Sequence, residues 1–416
     1  MPESTSTQSF PSNVIIVGAG VFGLSTALAI AKRHPSTAVT VIDRLTPPVE
    51  DGTSVDTTRY ELTNCVDYTD PIYRRLAIKS QNIIRDDPDL EPFYHQQGMT
   101  FVCDGEPGRF TDSWNARFGA ADREHIVERT SREEVFQAIH GEDSKPRPLS
   151  ELGDKSYWNK GYCNIEAAFI DARESVQAYY NKCLKYASIS FRCGVPVERL
   201  QVQGNVVSGV TLADGTSLSA DKVIIAAGAW SSKLVDLGAR MYAIGHEVVW
   251  FKVTPEEDAR WKNMSITTNE STGLNVFPPY NGEIKVLRRS PGFKNTVTVT
   301  YPENPSREVE ISYPRTIVDN PTDTIPLEAE QAIRPDFIIA PHPKLSGVHL
   351  ATGGSAHAWK FVPILGDCVV DSINGTMEQE LVDKWAFHKF TGGKDDAAPR
   401  MDGDPEELRE VIRSGI

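Results

Sequence analysis

Three glycines and one aspartate are the residues whose types and spacing most clearly specify a chemistry. Gly18, Gly20 and Gly23 stand as G-x-G-x-x-G with Val21 and Phe22 between the last two, and Asp43 follows. At the first position glycine permits a tight turn, at the second it lets backbone approach a pyrophosphate, and at the third it lets a helix pack closely on a strand. The phosphates of a dinucleotide would then meet the positive end of that helix. A carboxylate about 20 residues beyond the last glycine accepts hydrogen bonds from an adenosine ribose and repels a 2′-phosphate. FAD and NAD both satisfy this pattern, and NADP does not.

Such a turn works only inside a βαβ unit, and the flanking residues supply one. Residues 14–17 (VIIV) form a buried apolar run, 24–32 have helical periodicity, and 39–42 read as a second strand. Further along, residues 70–85 predict a helix that begins at an Asp-Pro pair, and 167–187 have helical spacing. Strands are predicted over 189–192, 197–207 and 223–227, the last ending in Gly228, Ala229, Trp230 and Ser231. Residues 349–354 read as a final strand of the same part, followed by a helix over 366–374. Alternation and β-branched residues over 242–253 and 282–300 predict a second, mostly antiparallel sheet, and 91–103 start a β-rich region.

These elements predict an α/β (α+β) chain in which a Rossmann-like dinucleotide-binding domain is interleaved with an antiparallel β-sheet substrate domain. The predicted boundaries are a disordered leader over 1–12, a discontinuous nucleotide domain over 13–90, 155–241 and 334–416, and a substrate domain over 91–154 and 242–333. Interleaving argues against a simple NAD dehydrogenase, whose halves run in sequence. The length of 416 residues fits two domains. A net charge of −14 argues against nucleic acid or an anionic membrane as the main partner. No stretch is long and apolar enough to span a bilayer, the N-terminus lacks a secretory pattern, and the chain ends RSGI, which is not a peroxisomal tripeptide; cytoplasm is the expected location. Cys65, Cys103, Cys163, Cys183, Cys193 and Cys368 show neither CxxC pairing nor metal spacing and read as reduced thiols, with no metal site expected.

Four segments together, the fingerprint, the loop 51–59 (DGTSVDTTR), the strand and turn 223–230 (VIIAAGAW) and the loop 353–361 (GGSAHAWKF), resemble the sarcosine oxidase family of flavoproteins, with 335–343 (PDFIIAPHP) as a further anchor. The fungal branch containing fructosyl amino acid, saccharopine and pipecolate oxidases is the most similar. This resemblance implies FAD, oxidation of a secondary amine on an amino acid, and reoxidation by O2 to give H2O2. It implies cofactor contacts from Arg44, from Ser54, Thr58 and Arg59 in the loop after the second strand, and from Val197. Ala227, Gly228, Gly354, Ala356, Trp359 and Lys360 are implied to touch the cofactor as well; Trp230 is in the matched turn too, although by its type it suits the core better.

Catalytic roles follow from the same resemblance. Arg59 is implied to sit beside the flavin and favour its anionic reduced form. Lys360 is implied to contact the substrate carboxylate, and Lys285 to promote the reaction with oxygen; His357 is a further candidate for the pocket wall. The expected partners are a small amine and O2, acting on a monomer.

Two departures stand out. Relatives carry a second, carboxylate-binding arginine three residues beyond the position of Arg59, where this chain has Leu62. Relatives also carry extra residues before the position of Pro335, with a cysteine that bonds to the flavin; here residues 327–334 read as an amphipathic helix that runs directly into Pro335. FAD is therefore expected to bind without a covalent bond, and the alternative is a weakened or silent flavin-binding paralogue. If the missing residues are a strand inside the nucleotide sheet, its neighbours should be left unpaired.

Overall fold

A computed structural model describes residues 9–55, 59–61, 70–103, 123–152, 158, 160–288, 290–316, 320, 327–332, 336–354, 357–387 and 405–414; the side chains of 59–61 and 327–332 are outside that description. The elements that build the nucleotide-binding part are β1 (Asn13–Val17), α1 (Val21–Arg33), β2 (Ala38–Asp43), α2 (Pro71–Asp86), α3 (Ala172–Leu184), β3 (Ile189–Cys193), β4 (Lys222–Ile225), β5 (Ile338–Pro341), β6 (Val348–Thr352) and α4 (Val362–Asn374). Their strands form one sheet in the order β5-β6-β4-β1-β2-β3, parallel throughout except for β5 at the edge.

The unbroken apolar run of β1 is explained by cover on both faces of the sheet. Val14 and Ile16 point to a core shared with α1, α3 and α4, whereas Ile15 and Val17 point to the opposite core. That second core is closed by a three-stranded antiparallel sheet, Val197–Gln203, Val206–Leu212 and Ser217–Ser219, through Leu200, Val207, Val210 and Leu212. Helix α2 begins where the Asp-Pro pair places it, with the Asp70 carboxylate accepting from the Ile72 and Tyr73 amides.

Helix α4 fixes α1 from outside. The Ser25 hydroxyl donates to the Val362 carbonyl at 2.6 Å and accepts from the Gly366 amide at 2.7 Å. A Cβ on Gly366 would lie 2.0 Å from the Ser25 carbonyl oxygen, so the crossing is possible only with glycine there.

A second, ten-stranded sheet is organised around Tyr242–Lys252, which pairs antiparallel with Glu283–Arg288 and with Leu327–Ala332. The last pairing corrects the helix expected over 327–334. An open edge of a long strand offers unpaired backbone groups, and pairing with them outweighs the helical preference of Leu-Glu-Ala-Glu-Gln-Ala. The expected gap in the nucleotide sheet is also corrected. β5 is the edge strand and pairs with β6 from Ile338 to Pro341, so a shortened segment before it removes no interior neighbour. Three further expectations shift. Residues 168–170 are a strand rather than the start of α3, residues 197–207 are one and a half strands of a hairpin, and Lys160–Asn164 pairs into the second sheet with Met99–Cys103.

Replacing Gly366 with alanine should force α1 and α4 apart and lower stability by about 2 kcal/mol, a typical cost of overpacking. A shift of the urea unfolding midpoint to lower concentration would register it, with loss of flavin retention as the accompanying functional sign.

Candidate functional site

The chemistry-bearing residues converge where β1 turns into α1. Gly18 adopts φ 110°, and a Cβ there would lie 2.3 Å from the Ala226 carbonyl oxygen at the end of β4. A Cβ on Gly23 would lie 1.8 Å from the Gly18 carbonyl oxygen, so the first turn of the helix rests directly on the loop that leads into it. Gly20 is the N-cap and has no side chain to cap the helix; of the first-turn amides, that of Val21 donates to the Ser54 hydroxyl at 3.2 Å. The first turn carries no acidic residue, which leaves the positive end of the helix dipole directed at the space in front of it.

That space is a cavity of about 460 Å³, well within the usual size of a small-molecule site. Gly18, Gly20, Val21 and Phe22 form its floor, Asp43, Arg44 and Val197 one end, and Ala227, Gly228 and Trp230 a side. Ser54, Gly354, His357 and Trp359 complete the wall. Gly23 lies beneath it as packing. The indole Nε1 of Trp359 donates to the Ser54 carbonyl at 3.0 Å, which ties the loop after β2 to the turn before α4.

At the β2 end the Asp43 carboxylate accepts from the Ala19 amide at 2.7 Å and from the Leu45 amide at 3.1 Å. Burial raises its pKa above the ordinary aspartate value, and these backbone hydrogen bonds offset part of that rise. Arg44 is ion-paired with Asp51 and lies 4.9 Å over the Trp230 ring, so it presents a neutralised, flat face to the cavity. Trp230 is thus a wall residue as well as a packing residue.

Other candidates sit apart from the cavity lining. Lys360 is buried, and its carbonyl accepts from the Ser80 hydroxyl of α2, which fixes the turn that carries it. Lys285 is buried in the second sheet, its ammonium 5.1 Å from the Phe277 ring centroid and 5.9 Å from that of Trp250. Arg59 is described only in its backbone, as part of a three-residue strand paired with Ala168–Ile170. Thr58, Leu62, Cys65 and Ala356, and residues 1–8 of the predicted leader, lie outside the described residues. Among the described residues no cysteine lines the cavity and no cluster of metal-binding type occurs.

Several lining residues carried no sequence signal. Gly52 and Thr53 lie within the matched loop 51–59, and Val49 just before it could have been found by proximity. Lys233, Asn295, Tyr313, Arg315 and Asn320 could not have been found that way, because most of them flank a separate hairpin far along the chain.

A helix that starts on a glycine turn beside a cavity, with a half-buried carboxylate at the end of the next strand, defines a dinucleotide-binding α/β protein. The chain belongs to the DAO family of FAD dependent oxidoreductases, whose model matches residues 13–372. FAD is therefore the dinucleotide, and the alternative of NAD is set aside. The chain is 26% identical to an L-saccharopine oxidase of Schizosaccharomyces pombe, over 90% of this chain and 93% of that protein. It is 25% identical to the amino acid oxidase fsqB of Aspergillus fumigatus, over 86% and 91%. In fold it is similar to the fructosyl peptide oxidase of E. terrenum, with a TM-score of 0.83 at 23% identity, covering 96% of each chain. Among the described residues no helix is long and apolar enough to cross a membrane.

The raised pKa of Asp43 gives FAD binding a pH dependence of definite sign. Protonation favours the unliganded fold, whose buried carboxyl is then neutral, and that stabilisation is lost as pH rises through the raised value. It also removes the acceptor a ribose hydroxyl needs. FAD affinity should therefore fall as pH drops through a range above the ordinary aspartate value. Asp43→Asn should flatten that profile and weaken binding by about tenfold, as read by flavin fluorescence titration.

Proposed function

We propose that this chain oxidises a C–N bond of a secondary amine or N-substituted amino acid to an imine, with O2 reduced to H2O2, and that it holds FAD without a covalent bond. The observation that carries the reading is the single cavity joining the glycine turn, Asp43, Trp230 and the Gly354 to Trp359 wall, in a chain of this flavin family. The names of its relatives, a saccharopine oxidase and an amino acid oxidase, support the amine class of substrate.

The residues fit FAD. The amides at the start of α1 would meet its diphosphate and Asp43 would accept from its ribose hydroxyls. The Arg44–Trp230 pair would offer a face to its adenine. When bound, FAD supplies a two-electron acceptor for the hydride that leaves the carbon next to nitrogen. No strong protein base is needed for that step; the side chains must position the amine and supply charge. Lys285 is enclosed by Phe277 and Trp250, where a positive charge is little screened and acts strongly on negative charge that develops during oxygen reduction. Lys360 is assigned to the substrate carboxylate, and Arg59 to the reduced cofactor. With Leu62 in place of a second arginine, Lys360 carries that contact without a bidentate partner.

The test is peroxide release from pure, FAD-loaded protein offered sarcosine, pipecolate, saccharopine and fructosyl amino acids. Turnover with one of these classes is expected, and silence across all of them would sink the proposal. After acid precipitation the flavin should remain in the supernatant. Lys285→Met should slow reoxidation by O2 about 100-fold while leaving anaerobic reduction by substrate near the original rate.

A further inference from the structure

Part of the cavity wall comes from a separate two-stranded hairpin and the segment that follows it. The hairpin Thr296–Tyr301 and Asn304–Ser312 lies against the segment that follows Trp230: the Tyr301 hydroxyl donates to the Ser232 carbonyl at 2.6 Å, and Arg307 meets Asp236 at 3.3 Å. From there the chain passes along the cavity, where Tyr313, Pro314 and Arg315 join Gly20, Asp43 and Trp230 in the lining. Both ends of this strap are held. The Tyr313 amide donates to the Asn295 carbonyl at 3.3 Å and the Asn295 side chain donates to the Tyr313 carbonyl at 3.2 Å. At the far end the Asn320 amide and side chain both donate to the Thr316 carbonyl, at 2.9 and 3.1 Å, and Thr316 is buried. Lys233, three residues after Trp230, lines the same cavity with its ammonium 5.6 Å from the Tyr313 ring centroid.

Charge makes this arrangement meaningful. At the β2 end Asp43 is half-buried and desolvated, and Arg44 is committed to Asp51. A dinucleotide adds two phosphate charges to a chain whose net charge is already −14. The helix end contributes only a fractional positive charge, about half an elementary charge. Cations elsewhere in the lining are what balance the remainder, and arginine and lysine are the side chains suited to phosphate.

We propose that Lys233 and Arg315 form a second, cationic half of the FAD site, supplied by the turn after Trp230 and by the strap at residues 313–316, which holds the diphosphate together with the start of α1. This rests on the FAD reading above and extends it: the strap that follows the hairpin is part of the cofactor site, and charge across the cavity does the retaining that a covalent bond would otherwise do.

The experiment is titration of the protein with FAD and with ADP, which carries the diphosphate and adenosine but no flavin, at low and high ionic strength. Variants Lys233→Met, Arg315→Met and the double variant are compared with Lys344→Met, an exposed base outside the cavity. Each single change should raise Kd for both ligands about five- to tenfold, and the double variant should also lose most of the salt dependence. Lys344→Met should bind as the original does. Lys233 is exposed, so its variant tests the proposal even where Arg315→Met does not fold, and Arg315→Lys should restore most of the affinity. Unchanged Kd and unchanged salt slope in Lys233→Met and the double variant would overturn the cationic wall and leave the FAD reading standing. Failure of the original protein to bind either FAD or ADP would overturn both.

Discussion

Everything in the functional half of this protein hangs on the contact between the first turn of α1 and the loop that precedes it. A Cβ on Gly23 would lie only 1.8 Å from the Gly18 carbonyl oxygen and one on Gly18 only 2.3 Å from that of Ala226, so the helix cannot start where it does unless both positions are glycine. That close approach brings the start of the helix to the wall of the cavity. The helix is also held along its length from behind. Ser25 and Gly366 do this by locking α1 to α4 with two short hydrogen bonds and a crossing too tight for a side chain.

Around that contact the site is a problem in buried charge. Desolvation raises the pKa of Asp43, two backbone amides orient it and offset part of that rise, and Arg44 is neutralised by Asp51 so that it serves as a surface rather than as a free cation. Lys285 is a different solution, a cation among aromatic faces in the second sheet, where low local polarity strengthens its field.

The segment before Pro335 shows how a fold absorbs change. Leu327–Ala332 completes the ladder on Tyr242–Lys252, and Ile338–Pro341 begins the edge of the nucleotide sheet shortly after. Both are edge positions, where the length of the connection matters little because no interior strand depends on it. The family match runs through this point to residue 372.

The sequence by itself determined the local units: the βαβ turn, the Asp-Pro start of α2, the parallel strands β1 and β4, and the sequence segments that mark the family. Each of these is specified by neighbours a few residues apart, through glycine sterics, capping and unbroken apolar runs. Residues 327–334 were legible only as an amphipathic pattern, which suits a helix until an open strand edge is placed beside it. Lys233, Asn295, Tyr313 and Arg315 were not legible at all as site residues. Their types are ordinary for loops and strands, and what makes them part of the site is the docking of a hairpin through Tyr301 and Ser232. Only tertiary structure decides that, because the packing of one sheet on the other, and not the spacing of residues along the chain, sets which side chains share a cavity.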